Sequence, residues 1–332
     1  MTSLFTRSLY TCAFAVALLV GQAVSAGAAG ATIKVAFWNV MSGKGVDALP
    51  GHAAPFQNVA NCTDPSLPMN AWGTGASQAE LAKIAADPTL VALGVAESWT
   101  SVCGSPEHIR AALGWKAHTS EQNGVALVAR YGFAGTEQWQ QLDTSLNTTP
   151  GDTMWVLRVA VCLDATCAAS LPVYVAHWYG TGANGPTSYA TQAQQTAAFL
   201  NATANGQPHV LIGDFNVWEG VAKVCNQSPN NSALPYLRAA GYLDAWTTLQ
   251  GSNEGFTGMA NRAGCGFPDG NTWKRVDYMW TLPTFQPTDI QRFAVTPAGD
   301  AAPSDHYGVI ATFPNPFAAN APAPSPAPAP AP

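Results

Sequence analysis

The chain has 332 residues, 47% of them hydrophobic and only 10% charged, with 14 Lys plus Arg against 20 Asp plus Glu and a net charge of −6. Typical soluble domains carry about 25% charged residues, so solubility here rests on Ser, Thr, Asn and Gln, and the apolar content excludes a disordered chain. A broad basic coat that holds nucleic acid by charge alone is excluded as well.

At the start, Arg7 precedes the apolar run Leu9–Val20, and Val24-Ser25-Ala26 has the small residues of a signal-peptidase site. The run is well short of the ~20 residues that span a bilayer. Residues 1–26 therefore read as a signal peptide and 27–32 as a short N-terminal segment. The expected product is an exported protein, secreted, periplasmic or held in the cell envelope, with no transmembrane segment. Cleavage after Ala26 leaves 306 residues, and loss of Arg7 moves the net charge to −7. It also removes Cys12 and leaves six cysteines: Cys62, Cys103, Cys162, Cys167, Cys225 and Cys265. An even count in an exported chain predicts three disulfides, and six cysteines allow fifteen connectivities. Sequence alone does not choose among them; the pairing taken as the expectation is 62 with 103, 162 with 167, which brackets a predicted hairpin turn, and 225 with 265. No pair has the spacing of a zinc knuckle.

Residues 33–317 form one block without repeat or linker. Short apolar runs predict strands over Ile33–Val40, Leu90–Ala96, Gly124–Ala129, Trp155–Cys162, Pro172–His177, His209–Ile212, Val276–Trp280 and Tyr307–Phe313. Helices are predicted over Ser77–Ala86, opened by a capping box of Ser77 and Glu80, and over Thr187–Thr203. Many strands with a few intervening helices predict an α+β fold of two face-to-face sheets with helices outside. Residues 318–332 are almost wholly Ala and Pro, which predicts an extended tail with no core, serving as an envelope spacer or as a plain disordered end.

Polar residues recur at the predicted C-terminal strand edges: Asn39, Glu97, His177, Asp214 and Asn216, and Asp277; Asp305-His306 directly precedes the last strand. Asp214 and Asn216 are two apart and in an extended chain point to one side. Carboxylates and amides dominate, so the set suits a hard cation, Mg2+ or Mn2+, better than zinc. Two histidines among carboxylates supply acid and base groups for hydrolysis of a phosphate ester. Any one of these residues alone is more often a solvated strand end or a satisfied structural histidine than a site residue.

In order, Trp38-Asn39, Glu97, His177, Gly213-Asp214-Phe215-Asn216, Arg275-Val276-Asp277-Tyr278 and Ser304-Asp305-His306-Tyr307 resemble the signature series of the endonuclease/exonuclease/phosphatase superfamily, the deoxyribonuclease I-like fold. Asn123-Gly124-Val125-Ala126-Leu127-Val128 is similar to the strand that follows the Glu segment there. The resemblance spans about 33–313 and implies a four-layer α/β/β/α sandwich of two packed mixed sheets, with the site at one end. It implies Glu97 as principal Mg2+ ligand with Asn39 and Asp305 nearby, His306 as the base that deprotonates water, and Asp277 as its orienting partner. It also implies that Asp214 aligns the water, that Asn216 and His177 bind the scissile phosphate, and that His177 assists the leaving oxygen. A bridge between Cys225 and Cys265 matches the relative position of one in secreted members. The chain departs from the pattern at Ala96, where Gln is usual, and at Gly308, where Pro is common; neither removes a ligand.

The fold hosts several activities, so substrate is a separate question. Trp38, Trp99, Trp178 and Trp218 stand one or two residues from site residues, and an aromatic rim of this kind stacks bases or enters a lipid interface. Lys44, Arg262, Lys274 and Arg275 are candidate phosphate contacts. The expectation is a monomeric metal-dependent nuclease acting on DNA or RNA. The alternatives are a sphingomyelinase-like phospholipid phosphodiesterase, an inositol or sugar phosphatase, and a surface binding protein that has kept the fold.

Overall fold

A computed structural model describes residues 31–41, 76–101, 104–145, 153–179, 185–219, 233–251, 255–258, 274–295 and 303–318. The leader, most of the tail, Lys44, Arg262, Cys62, Cys103, Cys225 and Cys265 lie outside them.

The described chain runs β1 (Thr32–Asn39), α1 (Ala76–Ala86), β2 (Leu90–Ala96), α2 (Pro106–Leu113), β3 (Ala117–His118), β4 (Ala126–Ala129), β5 (Phe133–Leu142), β6 (Met154–Cys162), β7 (Ser170–His177), α3 (Gly185–Thr203), β8 (Val210–Asp214), α4 (Leu234–Ala239), β9 (Leu243–Asp244), α5 (Ala245–Gln250), β10 (Asp277–Thr281), β11 (Asp289–Phe293) and β12 (Gly308–Pro314). The strands form two six-stranded sheets, in the orders β11-β12-β1-β2-β4-β3 and β5-β6-β7-β8-β10-β9. Each sheet has a parallel pair at its centre, β1 with β2 and β7 with β8, and antiparallel pairs around it. A parallel pair needs a crossover, and the segments that carry α1 and α3 supply them.

Alternation along the strands makes the layers. Ile33, Val35 and Phe37 of β1 pack with Val173 and Val175 of β7 and Val210 and Ile212 of β8 in a core between the sheets. Their neighbours face outward. Ala36 and Trp38 meet Leu81 and Ile84 of α1 and Ile109 of α2, while Tyr174, Ala176 and Leu211 meet Ala193 and Leu200 of α3. Each large aliphatic side chain removed from water contributes about 1.5–3 kcal/mol, so central strands buried on both faces fix the four-layer order. Between β7 and β8 the approach is close: a Cβ on Gly213 would lie 2.1 Å from the Ala176 carbonyl oxygen. Only glycine fits there, one residue before Asp214.

Eight strands and two helices were expected, and the structure has more of each. β5 was missed because it is a polar edge strand whose burial does not alternate cleanly; β3, β9 and β11 are short or polar. Helix α2 carried readable signals that the expectation left unused: Ser105 accepts from the His108 amide as N-cap, Pro106 follows, and Gly114 closes the helix at φ 65°. The helix expected to open at Ser77 begins at Ala76. A disulfide joins Cys162 to Cys167 across the β6–β7 connection. No described helix is long and apolar enough to cross a membrane.

Candidate active site

The sheet topology brings the polar strand ends together. Asn39 ends β1, Glu97 follows β2, His177 ends β7 and Asp214 ends β8. Asp277 corrects the expectation: it opens β10 rather than lying past a strand's C-terminal edge. Because β10 runs antiparallel to β8, Asp277 still pairs directly with Asp214, as His177 does from the other side. β12 is antiparallel to β1, with Val309 opposite Phe37, so the segment 304–306 enters beside the end of β1. One sheet thus delivers Asn39, Glu97, Asp305 and His306, and the other His177, Asp214, Asn216 and Asp277.

The side chains meet across the gap between the sheets. His306 Nδ1 lies 2.9 Å from Asp277 Oδ2, and its Nε2 faces Asp214 at 3.9 Å and Asp305 at 4.0 Å. Burial works against charge on this ring, but Asp277, Asp214 and Asp305 outweigh it and hold His306 up to about 10. Asp277 is also raised, by its own burial, against the pull of His306 and the Thr257 hydroxyl. Asn216 Nδ2 lies 3.3 Å from His177 Nε2 and donates to the Trp178 carbonyl at 2.8 Å, while the Asn216 amide donates to Asp214 Oδ1. His177 Nδ1 is buried with no hydrogen-bond partner among the described residues.

The donor set fits a hard divalent cation. Among the described residues Asp214, Asp277 and His306 each bring a ligand atom within 4.8 Å of the others, Glu97 joins them through the Asn39 amide it shares with Asp214, and Asp305 lies 4.0 Å from His306 Nε2; carboxylates without a thiolate suit a hard cation. Asn39 donates from Nδ2 to both Glu97 (3.1 Å) and Asp214 (3.0 Å), while its Oδ1 accepts from the Met41 amide. In this arrangement Asn39 holds the two carboxylates and turns its oxygen away from them.

Backbone strain gathers at the same end. Met41, Glu97 and Asn216, just past β1, β2 and β8, have φ of 46°, 54° and 53°. For Glu and Met this left-handed region is costly and persists only where the surroundings enforce it. Gly124 supplies part of that enforcement. At φ 80° its Cβ position is 3.0 Å from Glu97 Cα, and its carbonyl accepts the Ser98 amide at 2.9 Å. Glu121 accepts from the Gly124 amide (2.6 Å) and the Thr100 amide (3.2 Å), clamping the turn after Glu97.

Two residues outside the predicted set tie the site's segments together, Thr257 between the sheets and Ser304 within one of them. The buried Thr257 accepts at Oγ1 from the Val276 and Asp277 amides, at 3.2 and 3.1 Å, and its carbonyl accepts from the Tyr307 amide at 2.8 Å. Ser304 Oγ donates to the Asn39 carbonyl (2.7 Å) and accepts from the His306 amide (3.1 Å). Ser304 was legible only as part of its motif, and Gly-Phe-Thr-Gly around Thr257 carries no signal at all.

Several expected substrate contacts are corrected. Arg275 is buried and pairs with Asp244 through two hydrogen bonds of 2.8 and 2.5 Å, so it anchors the approach to β10 and does not face the site. Trp38 and Trp178 are fully buried under the helices; their indole nitrogens donate to the His306 carbonyl and to Thr196 Oγ1. Trp218 is buried as well, with the Lys274 ammonium 4.9 Å from its ring centre. Trp99 is half-buried. Lys274 stays beside the site, since Gly258 bridges both to it and to His306.

The sequence profile of the Endonuclease/Exonuclease/phosphatase family matches residues 38–306, from Trp38 to His306. The chain belongs to this family. Among curated proteins none matches its sequence. Its fold is similar to that of the endonuclease/exonuclease/phosphatase from Beutenbergia cavernae, at 18% identity and a TM-score of 0.59, over 86% of this chain and 72% of that one. It is also similar to TDP2 of D. rerio complexed with a single-strand DNA product, at 15% identity and 0.52, over 86% and 100%. A third likeness is to a mannosyl-6-phosphatase from Bacteroides thetaiotaomicron, at 15% and 0.51, over 85% and 99%. Members of the endonuclease/exonuclease/phosphatase family are phosphoesterase hydrolases, typically dependent on a divalent metal.

Proposed function

We propose that this family member is an exported, divalent-metal-dependent nuclease that hydrolyses phosphodiester bonds in DNA or RNA. The observation that carries the proposal is the His306–Asp277 pair, one member from each sheet, facing Asn216 and His177 across the carboxylate of Asp214. In the neutral ring Asp277 accepts from Nδ1–H and fixes the tautomer, so that Nε2 is the atom that takes the proton of the attacking water, and Asp277 stabilises the imidazolium that results. Asp214, 3.9 Å from that Nε2, aligns the water. Asn216 and His177 bind the scissile phosphate opposite. As the water oxygen forms its bond to phosphorus, the bond to the departing oxygen breaks, and His177 is placed to give that oxygen its proton. Glu97 and Asp305, beside Asp214, would hold Mg2+ or Mn2+. A bound divalent cation supplies positive charge against the phosphate oxygens.

Nucleic acid is favoured by the fold likeness to a protein solved with a single-strand DNA product and by Lys274 at the site edge. Export rests on the leader, Arg7 followed by Leu9–Val20 and Val24-Ser25-Ala26. The test incubates the purified chain from residue 27 with plasmid DNA, RNA, sphingomyelin vesicles and inositol phosphates, each with Mg2+ or with EDTA. The expected result is cleavage of DNA or RNA in Mg2+ and none in EDTA. Hydrolysis confined to the lipid or the phosphomonoesters would overturn the nuclease reading and leave the phosphoesterase standing.

A further inference from the structure

Of the four tryptophans expected at the rim, Trp38, Trp178 and Trp218 are buried and Trp99 keeps partial exposure, and the register of β6 brings a further indole to the site. Trp155 pairs directly with His177 across the antiparallel β6–β7 ladder. Directly opposed residues project on the same face with Cβ atoms about 5 Å apart. That face is the inner one: Leu157, Val159 and Val161, at two-residue steps from Trp155, fill the core between the sheets, as do Val173 and Val175 below His177. Trp155 is therefore the next residue on the inner face beyond the core, where the packing stops, and it is half-buried.

Its surroundings hold the ring in place. Nε1 donates to Thr153 Oγ1 at 3.2 Å, and the Thr153 carbonyl accepts from Asn123 Nδ2 at 2.6 Å. Asn123 belongs to the turn that props Glu97, so Trp155 stands between that turn and His177. Trp139 braces it edge to face, with ring centres 6.2 Å apart and planes at 90°. Both rings keep part of their surface exposed, and Trp155 stands on the strand next to His177.

We propose that Trp155, braced by Trp139, is the platform on which the nucleobase next to the scissile phosphate stacks. The inference rests on the nuclease reading and names how that site holds its substrate: phosphate at His177 and Asn216, base on Trp155. A stacking face accepts any base, so binding is tolerant of sequence and favours a strand whose bases are unpaired.

The test uses a labelled single-stranded oligothymidine and the same strand with abasic tetrahydrofuran residues, binding being read by fluorescence anisotropy in EDTA and KM in Mg2+. Trp155→Leu should weaken binding and raise KM about tenfold for the base-bearing strand, the scale of one lost stacking contact, and move the abasic strand less than about twofold. Trp155→Phe should keep most of the affinity. Equal weakening for both strands, or none for either, overturns the platform while cleavage by the unmodified chain leaves the nuclease reading intact. An unmodified chain that binds choline-lipid vesicles and neither strand overturns both.

Discussion

A hydrogen bond between side chains carried on different sheets is set only as well as the sheets are set against each other, and His306 with Asp277 is such a pair. Thr257 touches both approaches: its hydroxyl takes the amides of Val276 and Asp277 and its carbonyl takes the amide of Tyr307. Thr257→Val keeps the shape and leaves two buried amides without an acceptor, a loss of about 1–3 kcal/mol in stability. Its expected kinetic signature is a fall in kcat with KM unchanged and a displaced pH–rate profile, with Thr257→Ser restoring both; a Val variant with an unaltered profile would reduce Thr257 to a packing residue. The site residues were legible because Gly213-Asp214-Phe215-Asn216 and Ser304-Asp305-His306 are local patterns. Thr257 and Trp155 were not, since each acts on residues distant in sequence. The tryptophans were misread for a geometric reason. Trp38 and Trp178 adjoin Asn39 and His177 within or at the end of strands, so they point to the opposite face. Trp218 lies two residues from Asn216, whose left-handed backbone breaks the period-two rule.

At the scale of elements, the strands buried on both faces were readable from apolar runs, and the polar edges β5 and β11 were not, because an edge strand is recognised by its partner more than by its own pattern. β8 shows how one strand divides its labour. Its C-terminal end carries Asp214, while before its N-terminal end the buried His209 donates from Nδ1 to the Gln207 carbonyl and accepts at Nε2 from the Tyr242 hydroxyl. Burial holds His209 below the usual histidine value. The folded chain therefore binds this proton less readily than the unfolded one, and the contribution of His209 to stability is complete above about pH 6.5 and declines as pH falls below it. Urea unfolding from pH 7.5 to 5 should show that decline, and His209→Asn should flatten it; an identical slope in the variant would assign the acid sensitivity elsewhere.

Over the whole molecule, the two sheets share one core and meet again at one end through His306–Asp277, Thr257 and the Asn39 amide between Glu97 and Asp214. Low overall charge is consistent with this plan. The described carboxylates that matter most are concentrated where the sheets meet, and Arg275, a cation expected at the rim, is spent inside on Asp244. The four-layer order was legible as a class from the sequence of strand and helix signals, whereas the strand order came only from pairing. In the proposed function this junction is a phosphodiesterase centre in which His306 is the base and Glu97 a cation ligand. The most direct measurement is Mg2+-dependent cleavage of single-stranded DNA by the unmodified chain, His306→Ala and Glu97→Gln, each checked for native circular dichroism. The account predicts cleavage by the unmodified chain and a loss of at least about a hundredfold in both folded variants; a folded variant that retains near-full activity would contradict it.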